Sequence, residues 1–88
     1  MKMIVAILPD ADNETVSAKL IERGFRVTKI ASTGGLLSTG TSTLMIGVQA
    51  DQVDLAIQVV KENCTPAPEP GLKRGSLFVI NVARFEQL

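Results

Sequence analysis

Arg26 and Thr28 stand two residues apart in FRVTKIASTGG, residues Phe25 to Gly35, on one side of a period-two pattern. Phe25 and Val27 take the other side, as alternate residues of a strand do. Behind them runs STGGLLSTGTST, Ser32 to Thr43, rich in hydroxyls and glycines. Backbone amides in such a run can form a nest for an anion. A guanidinium just upstream offers phosphate oxygens a planar fork, so Arg26 and Lys29 make the segment a candidate phosphate cradle. It is not a Walker loop, because no Gly-Lys-Ser/Thr follows and a strand rather than a helix comes next. The plainer reading is a solvated loop, with Arg26 paired to an acid across a sheet edge. The sequence leaves both open.

Other chemistry is thinner. The chain has no histidine, so a general base would have to be Asp or Glu, and a metal would be left with scattered carboxylates and one thiol. Asp10 and Asp12 lie close together after the first apolar run, where acids usually cap a helix. Cys64 falls on an apolar helical stripe, the place of a small buried hydrophobe rather than a nucleophile. No catalytic residue and no metal ligand is assigned.

The elements that must position Arg26 follow from periodicity. MIVAIL, Met3 to Leu8, is continuously apolar, the pattern of a strand covered on both faces, and Pro9 with Asp10 should end it. Asp12 or Asn13 can cap a helix whose first turn carries Glu14 and whose buried stripe is Val16, Leu20 and Ile21. Gly24 suits the left-handed residue after its last turn. Phe25 to Ile30 is a second strand whose alternation slips between Val27 and Ile30, the mark of a bulge or an exit from the sheet. Thr43 to Val48 is a third. Asp51 and Asp54 resemble a capping pair for a second helix carrying Val53, Ala56, Ile57, Val60 and Cys64 at helical spacing. TPAPEPGLKRG, Thr65 to Gly75, breaks either period, and Ser76 to Ala83 forms a fourth strand before a short tail.

The order βαββαβ is a ferredoxin-like α+β sandwich: a four-stranded antiparallel sheet with two helices on one face, in one domain over residues 1–88. Yet the first, third and fourth strands are apolar on both sides. An uncovered apolar sheet face is an interaction surface, so the sheet is expected to pack against its own copies. The alternative is a monomer lidded by the proline-rich loop.

Composition narrows the partners. Nine basic and nine acidic residues cancel, whereas a non-specific nucleic-acid binder shows a basic excess. RNA recognition modules share the topology but stack bases on sheet aromatics, and of the central strands only Phe78 could serve. Acylphosphatases share it too and cradle their substrate with a loop arginine, but LPDADN, Leu8 to Asn13, has no basic residue. The N-terminal apolar run is too short for a signal core or membrane span, so the expectation is a cytoplasmic protein without membrane insertion.

MKMIVAI, FRVTKIASTGG and LLSTGTSTLMIGV together resemble the PII-like cyclic di-AMP receptor family of bacterial signalling proteins. The similarity runs through roughly the first two-thirds of the chain and returns at GSLFVINVARFEQL; FRxTKxAxTGG is its most specific signature. The resemblance implies a homotrimer of ferredoxin-like subunits with inward-facing sheets and ligand sites in clefts between neighbours. It further implies that Arg26 and Thr28 lie around the ligand, that Gly34, Gly35 and Leu37 belong to the loop that closes over it, and that Gly47 is a third-strand glycine of the site. A glycine there lets a backbone be approached closely.

Three departures stand out. The family usually has phenylalanine where this chain has Leu36, and asparagine where it has Thr41. A lost aromatic stack costs about 1–3 kcal/mol per base. The long glycine-rich loop that the family commonly carries before the last strand is replaced by TPAPEPGLKRG. The expected function is a sensor, not an enzyme: a trimer that binds a nucleotide second messenger, cyclic di-AMP, and reports to an effector protein. The alternatives are the same trimer binding another adenine nucleotide or none, and a small acylphosphatase-like hydrolase using Asp10 or Asp12.

Overall fold

The N-terminal apolar run becomes a central strand, β1 (Lys2–Pro9), in a computed structural model that describes residues 1–30, 40–65 and 75–88. The remaining elements are α1 (Asp10–Glu22), β2 (Arg26–Ile30), β3 (Thr41–Val48), a 3₁₀ turn (Ala50–Gln52), α2 (Val53–Asn63) and β4 (Ser76–Asn81). The strands form one antiparallel sheet in the order β2-β3-β1-β4, the ferredoxin-like arrangement. Most of the STGGLLSTGTST run and of the proline-rich connection lies outside the described residues.

Alternation along the strands sorts residues between two faces. Ile4, Ala6 and Leu8 of β1 and Leu44, Ile46 and Val48 of β3 point toward the helices and are buried with Val16 and Leu20 of α1, Ala56, Val59 and Val60 of α2, and Phe25. Val53, Ile57 and Cys64 pack partly buried against this core, so the Cys64 side chain lies against apolar neighbours. The helices therefore cover one face.

The opposite face is organised in cross-strand rows. Arg26 pairs with Gly47, Gly47 with Met3, and Met3 with Ile80. Thr28, Met45, Val5 and Phe78 form the next row; Ile30, Thr43, Ile7 and Ser76 form the third. Met3, Val5, Ile7 and Met45 are only half-buried, while Phe78, Ile80 and Ile30 are 54%, 44% and 46% exposed. Among the described residues nothing covers this apolar face.

Several local expectations need correcting. The pairing of β1 runs through Pro9 opposite Thr41, and α1 begins at Asp10, so neither Asp12 nor Asn13 is a cap. Both are instead buried inside the first turns. The Thr65 hydroxyl donates to Asp12 and the Ser42 hydroxyl donates to Asp10, which ties the start of α1 to the exit of α2 and to β3. Ile21 is 59% exposed, because the inward stripe is Asp12, Asn13, Val16 and Leu20, and Ile21 lies one residue, about 100°, around the helix from Leu20. Asp51 and Asp54 make no cap; a 3₁₀ turn leads directly into α2. β2 carries no bulge: its register with β3 continues regularly to Ile30, which belongs to the open face. β3 begins two residues early, at Thr41, and β4 stops at Asn81, beyond which the Val82 amide donates to the Met1 carbonyl at 3.1 Å.

The end of α1 follows its sequence. Gly24 has φ +87°, its amide donates to the Ile21 carbonyl at 2.9 Å, and the Phe25 amide donates to Leu20 at 3.0 Å. This is a Schellman closure with its usual apolar contact, here between buried Leu20 and Phe25. It also swings the chain sharply into β2, so the cap fixes where Arg26 begins.

Gly75 is constrained differently. A Cβ there would lie 2.5 Å from the Ile7 carbonyl oxygen and 3.0 Å from Leu8 Cδ2. The nearer atom is backbone of a central strand and cannot swing aside. Gly75→Ala is therefore expected to destabilise the fold by about 1–3 kcal/mol, the usual range for overpacking. The urea unfolding midpoint reads this directly; a midpoint equal to wild type would mean that the entry to β4 moves freely away from Ile7.

Candidate functional site

The sequence-derived site begins on β2, the edge strand. Arg26 and Thr28 are both exposed on the face away from the helices, separated by one full pleat, about 7 Å. Gly47 faces Arg26 directly across the ladder. The structure thus brings together Arg26, Thr28 and Gly47; Gly34, Gly35 and Leu37 lie outside the described residues. Thr41 shares the face of Gly47 at the other end of β3, on the side where residues 31–39 connect.

Gly47 is unusual for what it does not touch. Its φ is not positive, and a Cβ built on it meets no atom of the described residues within 4 Å. Neither backbone conformation nor packing among the described residues requires glycine there. A strand-interior glycine costs about 0.5–1 kcal/mol relative to alanine, so an unforced one marks a place where something else approaches the backbone.

Beside it lies a cavity of about 300 Å³ where the start of β2 meets the end of β3. Its walls include Met1, Arg23, Arg26, Gly47, Gln49 and Gln52. Neither guanidinium makes a salt bridge among the described residues, and the nearby carboxylate of Glu22 is engaged 3.5 Å from Lys19. Two positive charges therefore line one opening in a chain of zero net charge. Arg23 escaped the sequence reading because it ends α1. Only the reversal at Gly24 carries it back beside Arg26.

Lys29 does not join them. Strict alternation turns it to the helix side, where it lines a separate groove of about 350 Å³ with Asn13, Glu14, Ser17, Ile21 and Val27. The expectation that Arg26 and Lys29 act together is corrected: they stand on opposite faces of β2. Asp10 and Asp12 accept bonds from Ser42 and Thr65 that tie elements together.

A family model for cyclic-di-AMP receptors matches residues 1–69. The chain belongs to this family. A crystal structure described as that of a functionally unknown protein from Pediococcus pentosaceus ATCC 25745 superposes with a TM-score of 0.80 at 28% sequence identity. The match covers 99% of this chain and 96% of that one, and it supports the four-stranded α+β architecture. Membership sets the chain among receptors, which supports a binding and signalling role, and makes cyclic di-AMP the family's ligand. No helix among the described residues is long and apolar enough to cross a membrane.

Proposed function

We propose that this chain is a PII-like signalling protein of the cytoplasm that senses cyclic di-AMP in clefts between the subunits of a homotrimer and reports to an effector protein. The observation that carries the reading is the pairing of Arg26 with Gly47 at the sheet edge: a cation beside a glycine that the described residues leave uncovered. The open apolar face continues from that pair across Met3 and Ile80. Copies packing through this face would bring a neighbour alongside Arg26 and complete a cleft. A ligand that reaches from the Arg26 row toward the connection beyond Ile30 must extend along four residues of β2, about 14 Å, passing Thr28. That length suits a dinucleotide better than a mononucleotide.

A second reading has its own motive. Leu36 and Thr41 replace the phenylalanine and asparagine usual in the family, which removes an aromatic surface for stacking adenine and motivates the same trimer binding another adenine nucleotide or none. Thermal-shift measurements with cyclic di-AMP, ATP, ADP and AMP separate the two, since a ligand at one hundred times its Kd stabilises by about 2.7 kcal/mol. A shift with cyclic di-AMP alone supports the proposal. A larger shift with ATP selects the second reading, and no shift with any of them removes the nucleotide.

Gly47→Val tests the carrying observation. Valine suits a strand, and a Cβ at Gly47 meets no described residue, so the thermal midpoint should hold or rise slightly. Cyclic di-AMP binding should be lost, because the side chain occupies the approach to the backbone beside Arg26. Calorimetry and light scattering together check this; a trimeric Gly47→Val that binds like wild type would place the ligand elsewhere.

A further inference from the structure

The cavity beside Arg26 offers more than one phosphate contact needs. Arg23 lines it from the end of α1, and Gln49 and Gln52 line it from the turn after β3. All three side chains are exposed, so none is committed to holding the core. Arg23 and Arg26 converge on the same space without a salt-bridge partner among the described residues. Such a pair suits a phosphate, which accepts parallel bonds from planar guanidiniums. A carboxamide presents a donor and an acceptor side by side. Adenine matches that pair with its N6 amino group and N7, whereas guanine offers two acceptors, O6 and N7, on the same edge. At about 300 Å³ the cavity stands at the lower end of the range for small-molecule sites, about 300–1,000 Å³. It has room for one base with its phosphate, not for a whole dinucleotide.

We propose that this cavity is an adenine-nucleotide half-site, in which Arg23 is a second phosphate ligand beside Arg26 and the carboxamides of Gln49 and Gln52 read the adenine edge. The inference rests on the cyclic di-AMP reading and assigns half of that ligand to this cavity, the other half running along β2 past Thr28 in the cleft with a neighbouring subunit.

Calorimetric titration of the intact protein with cyclic di-AMP and cyclic di-GMP, each at low and high salt, tests it. Arg23→Ala should weaken cyclic di-AMP binding about tenfold or more and flatten its salt dependence, with the unfolding midpoint unchanged. Arg23→Lys should recover part of the loss by restoring the charge. The double variant Gln49→Ala/Gln52→Ala should lose about tenfold for cyclic di-AMP and nothing for cyclic di-GMP. Lys61→Ala, which removes an exposed cation from the last turn of α2, should change nothing. Wild-type affinity in Arg23→Ala alongside weakened Arg26→Ala overturns the half-site and leaves the proposed function standing. Equal losses for both nucleotides in the glutamine variant overturn base reading. A wild-type protein that binds neither nucleotide removes both proposals together.

Discussion

Arg26→Ala is expected to weaken cyclic di-AMP binding by about one to two decades while leaving fold and assembly intact. The side chain is exposed on the edge strand and makes no salt bridge among the described residues, so its removal orphans no partner there. What is lost is a charge-assisted bond to phosphate, about 1.5–3 kcal/mol. At 1.4 kcal/mol per tenfold change, that gives the stated range. The effect should shrink at high salt, because a site at the sheet edge is open to screening ions. Calorimetry with cyclic di-AMP measures it, and ATP serves as the control ligand. Unchanged affinity in the variant, with wild type clearly binding, would move the site away from β2.

How much of this was legible beforehand depended on the range of the interaction. Alternation in FRVTKI placed Arg26 and Thr28 together correctly, because a strand's faces follow from the pleat alone. Gly24 was equally readable, since a left-handed residue after a helix is a local demand. The start of α1 was not. Asp10 and Asp12 look like caps in one dimension, but β1 keeps pairing as far as Pro9, and Ser42 and Thr65 approach from distant parts of the chain. At Ile30 the reading is half right. An apolar residue out of phase suggests a bulge or an exit from the sheet; the strand ends at Ile30 but carries no bulge, and the phase of Ile30 is that of a second apolar face running through Thr43 and Ile7. The same alternation, applied one residue further, would have set Lys29 apart from Arg26. Arg23 was invisible, because its place in the cavity depends on a chain reversal and on the end of β3 lying opposite.

Phe78→Asp should convert the proposed trimer into monomers without unfolding the subunit. Phe78 stands on β4 in the row of Thr28, Met45 and Val5, and more than half of it is exposed in the single chain. The subunit core therefore loses little when it is replaced. Between packed copies the exposed half of the ring would be enclosed; full burial of such a side chain contributes about 1.5–3 kcal/mol, so this half contributes about 1 kcal/mol per subunit. Aspartate forfeits that burial and adds an unpaired carboxylate, whose desolvation costs several kcal/mol more. In a closed trimer each change occurs three times, so the penalties are felt by one assembly equilibrium rather than by three separate ones. Light scattering coupled to size exclusion should report a trimer for wild type and a monomer for the variant at micromolar concentration, with the same far-UV circular dichroism. If cyclic di-AMP is held between subunits, the monomer should also lose it, although Phe78 and Arg26 lie at opposite edges of the sheet. A variant that remains trimeric would mean that copies do not meet through this face; a monomeric variant with wild-type affinity would place the whole site within one chain.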